Sequence, residues 1–418
     1  MAAMHSHNVP SLRLEGFDGE WELKAIGDLS GRTYGGGTPS SDEPGYWSGD
    51  IPWIQSSDVA EQGVAPVAPR KHITREAISR SAAIQIPADS IAVVTRVGVG
   101  KVSFMPFPYT TSQDFVSLSD LSGDPEHIAL TVKQCMEGLA DQLQGSTIKG
   151  ITKTELLNQT VHLPPTFEEQ QAIGAIFTNL DAAINQHTKK HQALQQAKTA
   201  LMQRMFPQEE GQTVPELRLE GFDGEWKLIK LDTFDIKTGP FGSTLHAKDY
   251  VSVGTPIVTT EHFKSGQLPN TGDDIPQVSK RDAARLSMYA LNEGDIVFSR
   301  VGSVDINARV TQCQKGWLFS GRVLRLRLDA SCDAAFLHSA LETEQVRTSI
   351  ISRAVGQTMP SINTKILGAT EVAIPPTLEE QQTIGAVFTR LDTLIATEAK
   401  YIESLKQTKT ALLQRMFV

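Results

Sequence analysis

The chain has 418 residues, 40% of them hydrophobic and 21% charged, enough for two or three globular domains. No run approaches the roughly 18 apolar residues of a membrane span, the first residues have neither a basic lead nor an apolar core, and the three cysteines form no close pair. A membrane helix, a secretory leader, a disulfide framework and a cysteine zinc site are therefore not expected, and a reducing cytoplasm is. The net charge is -9, the wrong sign for a protein that holds nucleic acid by bulk attraction. Residues 1–165 alone carry 12 Lys and Arg against 19 Asp and Glu, so any DNA contact must come from local basic spots or from a partner that neutralises phosphates.

In chain order, the first recognisable segment is a turn-rich lead, LRLEGFDGEW at 12–21. A first block follows, with short β-branched runs between turn residues. They predict strands near 51–55, 90–95 and 115–118 and helices near 126–144 and 153–158. Several of its positions suit a nucleic acid. The stretch from Tyr34 through Thr38 to Ser40 and Ser41 is rich in glycine and hydroxyls, which lets backbone amides approach an anion. Arg70 and Lys71 form a basic spot in an acidic block. Arg96 and Lys101 follow an apolar strand, and Tyr109, Thr111, Ser112 and Gln113 supply side chains of the kind that read base edges. Lys149 completes the candidates of this block.

Residues 164–206 then read as one helix. Pro164 and Pro165 stop what precedes, and Thr166 is a candidate N-cap with Glu169 three residues on, as in a capping box. Ile173, Phe177, Leu180, Ile184, His187, His191, Leu194, Lys198, Leu201 and Met205 follow in steps of four and three, the seam of a coiled coil. About 40 residues of helix span roughly 60 Å. His187 and His191 have the i, i+4 spacing of helical zinc ligands, but no third ligand is near in sequence, and seam positions are their ordinary role.

The lead recurs unchanged at 217–226, and a second block follows. Strands are predicted near 256–260, 295–299 and 322–328 and a helix near 334–344. Its candidate DNA contacts are Lys237, then Phe241 and Ser243 in the loop 238–244 that matches Tyr34–Ser41, then Lys248, Lys264, Lys280, Arg281, Arg300, Asn307, Arg309, Arg322 and Lys365. Arg300 follows an apolar strand at the place matching Arg96, in the strings SRVG and TRVG. For any one of these residues, a turn, a solvated charge or a satisfied hydroxyl is the commoner role. Residues 375–418 repeat the helix: Thr377 and Glu380 form the cap, and Ile384, Phe388, Leu391, Ile395, Glu398, Ile402, Leu405, Lys409, Leu412 and Met416 form the seam.

The chain is thus two copies of one unit, at an offset of 205 in the lead and 211 in the helices. Identity is concentrated in lead and helix, and the blocks between have drifted. The expected fold is α+β: two homologous globular domains separated by two long helices that pair as an antiparallel coiled coil about a pseudo-two-fold axis. The boundaries are 1–163, 164–206, 207–374 and 375–418. Two similar but non-identical heads on a constant frame are expected to read two similar but non-identical things. Catalytic signatures are missing: no N-P-P-[YF] string, no G-x-G-x-x-G after a strand, no P-loop ending, no nucleophile–base grouping in a recognisable context.

This architecture resembles the specificity subunits of type I restriction-modification systems. The strings that carry the resemblance are Gly36–Pro39 followed by YWSGDIPWI at 46–54, GSTIKGI at 145–151, and P-P-T-x-E-E-Q-Q before each helix. The second copy has GPFGS at 239–243 where Gly36–Pro39 stood and lacks the YWSGDIPWI string, so its target is expected to differ. The resemblance implies that each globular block is a target recognition domain reading one half of a bipartite double-stranded DNA site, and that the coil sets the spacer. It implies two modification subunits carrying S-adenosylmethionine, two restriction subunits using ATP as optional members, and no cofactor, catalysis or metal in this chain. Rival readings are a coiled-coil adaptor whose heads bind proteins, distinguished by a lack of sequence-selective DNA binding, and a solitary nuclease or methyltransferase.

Overall fold

A computed structural model describes residues 8–143, 150–209, 211–240, 245 and 249–418. The chain forms two compact units, Met1–Lys189 with Lys400–Val418, and Lys190–Ala399. Each holds one globular block and one half of each long helix, Phe167–Met205 and Leu378–Met416.

In the first unit the strands are β1 (Glu22–Ala25), β2 (Ser30–Gly35), β3 (Ile51–Ile54), β4 (Lys71–Ile73), β5 (Ser90–Val94), β6 (Val102–Met105), β7 (Thr110–Thr111), β8 (Phe115–Leu121) and β9 (Thr160–Leu163). A four-stranded antiparallel sheet runs β2-β8-β5-β6, beside a three-stranded sheet β4-β3-β7 and a ribbon β1-β9. The central strand β5 is an unbroken buried run because both its faces are covered. Ile91 and Val93 face a core with the helix Pro125–Leu143 and the seam residues Ile173 and Phe177, while Ala92 and Val94 face a second core with Ile54, Tyr109 and Phe115.

The second unit repeats the plan with β10 (Lys227–Lys230), β11 (Asp235–Thr238), β12 (Tyr250–Val251), β13 (Thr255–Val258), β14 (Gln277–Val278), β15 (Ile296–Ser299), β16 (Asn307–Arg309), β17 (Leu318–Phe319), β18 (Val323–Arg327) and β19 (Glu371–Ile374). Its sheets run β11-β18-β15-β16, β12-β14-β13-β17 and β10-β19. Ile296 and Phe298 face the helix-side core and Val297 the other. Every strand and helix predicted from the sequence in both blocks is present, within one to three residues.

These faces correct one expectation. Matching the letters TRVG to SRVG would place Val93 opposite Val297, on the wrong face. The hydrogen bonds set the frame instead. Ile151 N donates to Thr95 O at 2.8 Å, and Ile362 N to Arg300 O at 2.9 Å. Thr95, not Arg96, is the counterpart of Arg300, because a one-residue slip exchanges inside and outside along a strand.

In each unit the start of one long helix packs against the end of the other, so the half-helices are antiparallel. In the first, Lys409 Nζ meets Asp181 Oδ1 at 2.5 Å and the His187 ring meets Tyr401 edge-on at 4.6 Å. In the second, Lys198 Nζ meets Asp392 Oδ1 at 2.6 Å and Lys190 Nζ meets Glu398 at 2.9 Å. Seam residues Ile173, Phe177, Ile384 and Phe388 are buried; Leu180, Ile184, Leu194, Leu201, Leu391, Ile395, Ile402, Leu405 and Leu412 are partly buried. Lys198 also bonds Glu342 at 2.8 Å. Burial opposes its charge, but Glu342 and Asp392 outweigh that and raise its pKa.

Each repeated lead closes its unit as a clasp. Arg13 Nε and Nη2 donate to the two Glu169 oxygens at 2.8 and 2.7 Å, and the guanidinium also reaches the carbonyls of Asp18 and Gly19. Arg218 makes the same four bonds to Glu380, Asp223 and Gly224. Leu12 N donates to Arg415 O, and Leu217 N to Arg204 O, tying the lead to the end of the other helix. Thr166 and Thr377 do cap the helix starts, at 3.3 Å to the Glu169 and Glu380 amides. The carboxylates that a full capping box would turn back are committed to the clasp arginines instead. Behind each clasp lies an aromatic cluster, Trp21, His127, Phe177 and Phe417 in one unit and Trp226, Phe336, Phe388 and Phe206 in the other. His127 sits where Phe336 does. Its ring stacks on Phe417, and neither nitrogen has a hydrogen-bond partner among the described residues.

Candidate nucleic-acid interface

In the first unit three chain segments meet where the parallel strands β3 and β7 end. Ser112 N donates to Ile54 O at 2.9 Å, which brings the segment after β7 beside the 3-10 turn Ser56–Asp58. Gly37 N donates to Thr111 O at 2.8 Å, which adds the loop after β2. Gly36 lies so close that a Cβ there would run into the Ser112 carbonyl. The glycines of this loop thus serve close packing of backbone on backbone, and the amide of Gly37 is committed internally rather than free for an anion.

Two tryptophans of the YWSGDIPWI string brace the loop. Trp53 Nε1 donates to Gly37 O at 3.1 Å and Trp47 Nε1 to Ser40 O at 3.0 Å. Their rings meet edge-on at 5.0 Å, and Lys71 Nζ lies 5.5 and 5.4 Å from the ring centres, a cation–π arrangement. Thr38 Oγ1 donates to Gln113 Oε1 at 2.8 Å. Thr38, Ser40, Lys71 and Gln113 are all exposed and all belong to this connected rim, as does the exposed Ser41 next to Ser40. Arg96 is exposed on the turn beyond β5, beside Gly150. Arg70 is exposed, with Asp58 at 3.5 Å.

The remaining candidates of this unit are placed inward. Tyr109 is buried and its hydroxyl donates to Ser117 Oγ at 2.9 Å; burial holds its phenol above the usual range. Thr111 and Ser112 are buried, Tyr34 is partly so, and Lys101 is largely covered and paired with Glu61 at 2.6 Å. Lys149 lies outside the described residues.

The second unit has the same junction. Ser320 N donates to Val258 O at 2.8 Å, and a Cβ on Gly239 would meet the Ser320 carbonyl, as at Gly36. A groove of about 660 Å³ opens there, with Thr259, Arg300, Ser320 and Arg322 among its lining. Arg300 reaches Ile362 O at 3.3 Å and Gly321 O at 3.1 Å, so it stitches the groove wall. Arg322 is exposed on the rim. Lys264 is exposed and paired with Glu261; Lys280, Arg281 and Lys365 are exposed on short helices. Lys237 and Arg309 are partly buried. Asn307 is buried, with Oδ1 2.7 Å from His338 Nδ1, and burial lowers the pKa of that histidine. Phe241, Ser243 and Lys248 lie outside the described residues.

Sequence reasoning missed the turns beside the junctions, Gln55–Asp58 and Thr259–His262, each closed by a side chain on the N-cap amide, Gln55 N to Asp58 at 3.0 Å and Thr259 N to His262 at 3.1 Å. Their equivalence shows only in the parallel registers Ile54↔Thr111 and Val258↔Phe319. Among the described residues no three His, Cys, Asp or Glu side chains group as metal ligands, and no helix is long and apolar enough to cross a membrane.

Two heads of one design, each with polar loops at the ends of its parallel strands and each clasped to paired half-helices, define a paired recognition protein. The chain belongs to the type I restriction modification DNA specificity domain family, whose model matches residues 18–196 and again 224–407. It is 26% identical over 95% of its length to the type I restriction enzyme MjaIX specificity subunit of Methanocaldococcus jannaschii, covering 92% of that protein. It is 31% identical over 41% of its length to the EcoR124I/EcoR124II specificity subunit of Escherichia coli, covering 44% of that protein. Its fold is that of the type I restriction-modification S subunit from M. genitalium, with a TM-score of 0.67 at 15% identity over 98% of this chain and 99% of that one. The chain is a specificity subunit with two target recognition domains, the non-catalytic component of such a system.

Proposed function

We propose that the two heads, within 1–163 and 207–374, each read one half of a bipartite double-stranded DNA site, and that the helical segments 164–206 and 375–418 set the spacer between the halves. Two modification subunits bearing S-adenosylmethionine join this chain and methylate an adenine in each half, and two ATP-using restriction subunits complete the cleaving form. The work takes place in the cytoplasm. The observation that carries this reading is the division of the repeat: the clasp bonds are the same in both units, while the described strand-end loops Ser112–Asp114 and Ser320–Arg322 expose different side chains, Gln113 and Arg322. The acidic balance fits it too, since modification subunits can neutralise phosphates that this chain does not.

The test is to map methylated adenines made by the chain together with its modification subunits. A split motif with a fixed gap is expected. Absence of sequence-selective DNA binding at low salt would sink the reading. Seven residues inserted at matched places in both long helices should lengthen the gap or abolish binding; an unchanged gap with unchanged affinity would rule out the ruler.

A further inference from the structure

The segments leaving β7 and β17 are one loop carrying different side chains. Ser112 N and Ser320 N make the same bond, to Ile54 O at 2.9 Å and Val258 O at 2.8 Å. At the other end Thr95 N donates to Asp114 O at 2.8 Å and Arg300 N to Arg322 O at 2.9 Å. The next residues, Phe115 and Val323, open β8 and β18 opposite Val94 and Ser299. Ser112–Asp114 therefore overlays Ser320–Arg322 residue for residue, with no insertion. The first position is serine in both. The second is Gln113 or Gly321, and the third is Asp114 or Arg322.

Each loop presents one long exposed polar side chain. In the first unit it is Gln113, because Asp114 is partly buried and accepts from Ser112 Oγ at 3.2 Å. Thr38 Oγ1 holds the Gln113 amide oxygen at 2.8 Å, which restrains the side chain and leaves its NH2 group and the second lone pair of its oxygen for a ligand. In the second unit it is Arg322, since Gly321 offers no side chain at the neighbouring position.

We infer that these are the base-reading loops, with Gln113 reading an adenine and Arg322 a guanine. The inference rests on the proposal that the heads read DNA. Adenine shows an acceptor at N7 and a donor at N6, which one glutamine amide satisfies together; guanine shows acceptors at N7 and O6, which the planar guanidinium satisfies with two parallel donors. The backbone frame supplies the same approach to the groove twice, and the side chain on it selects the base.

The experiment uses the full chain with its modification subunits, acting on a randomised DNA pool whose methylated sites are then sequenced. Arg322→Gln should shift one position of one half-site away from guanine, the preference falling by about tenfold to a hundredfold, the weight of one bidentate pair. The other half and the gap should not change. Arg322→Lys should weaken the same preference by a smaller factor while keeping the charge, since an ammonium still donates to guanine but lacks the planar fork, and Gln113→Arg should move one adenine of the other half to guanine. A motif identical to that of the unaltered chain, or a weakening spread evenly over all positions as for a phosphate contact, overturns the assignment. Should the unaltered complex give no split motif at all, the DNA-reading proposal itself falls, a result separate from the failure of either residue.

Discussion

The clasp of one unit and the clasp of the other make the same four bonds with the same residue types, whereas the loops Ser112–Asp114 and Ser320–Arg322 share a backbone and little else. Both pairs descend from one unit, so the contrast locates where change was tolerated. The Glu169 and Glu380 side chains are each 1% exposed, and a buried carboxylate cannot lose its partner cheaply. Gln113 and Arg322 stand in solvent on a frame held by main-chain bonds, and exchanging them disturbs no core.

Four tests press on this contrast, in decreasing order of effect. Arg13→Ala and Arg218→Ala should each cost about 3–5 kcal/mol, by stranding a buried carboxylate, as read by denaturant unfolding of the whole chain. A gap between the two of more than about 1 kcal/mol would break the equivalence of the clasps, which predicts matched losses. His127→Phe copies the other unit's Phe336 and should remove an acid sensitivity. Desolvation pushes the His127 pKa down to about 3, against about 6.5 in the unfolded chain. Between those values the unfolded chain binds the extra proton, so the stability tied to neutral His127 is whole above about pH 6.5 and drains away as pH falls. The substitution should therefore gain about 2 kcal/mol more at pH 5 than at pH 7; an equal gain at both would mean that the ring is not held neutral. Lys198→Met should destabilise more than Lys409→Met by about 1 kcal/mol, since Lys198 serves Glu342 as well as Asp392; the reverse order would count against that double pairing. Thr38→Val should cost under about 1 kcal/mol of stability and loosen discrimination only at the base assigned to Gln113, which the sequenced sites would show.

Much of the constant part was legible in the sequence, because a coil seam writes itself in steps of three and four: Ile173 and Phe177 at one end and Leu201 and Met205 at the other lie where the pattern puts them. The clasp was not, although both of its residues were on view in both copies. Arg13 and Glu169 stand 156 residues apart, and no local period connects them; asking which charged residues recur in both lead and helix would have found the pair. Among the contact candidates, Tyr109, Thr111 and Asn307 look like surface hydrogen-bonders in a string of letters. They sit in strands of two or three residues or just outside one, too short for alternation to reveal an inside. Arg96 and Arg300 show the converse failure, a match of letters at positions the hydrogen bonds hold one residue apart.

The clasps have a consequence for inheritance. Their bonds join the lead to the long helices and include no residue of either strand-end loop, and the strings that make them are repeated nearly letter for letter. A head exchanged for another between two such strings would arrive with its fastening complete and with the partner strands already in register. The joint behaves as a standard fitting, so a new target can be acquired as a cassette, in one event, without the core of the recipient having to adapt.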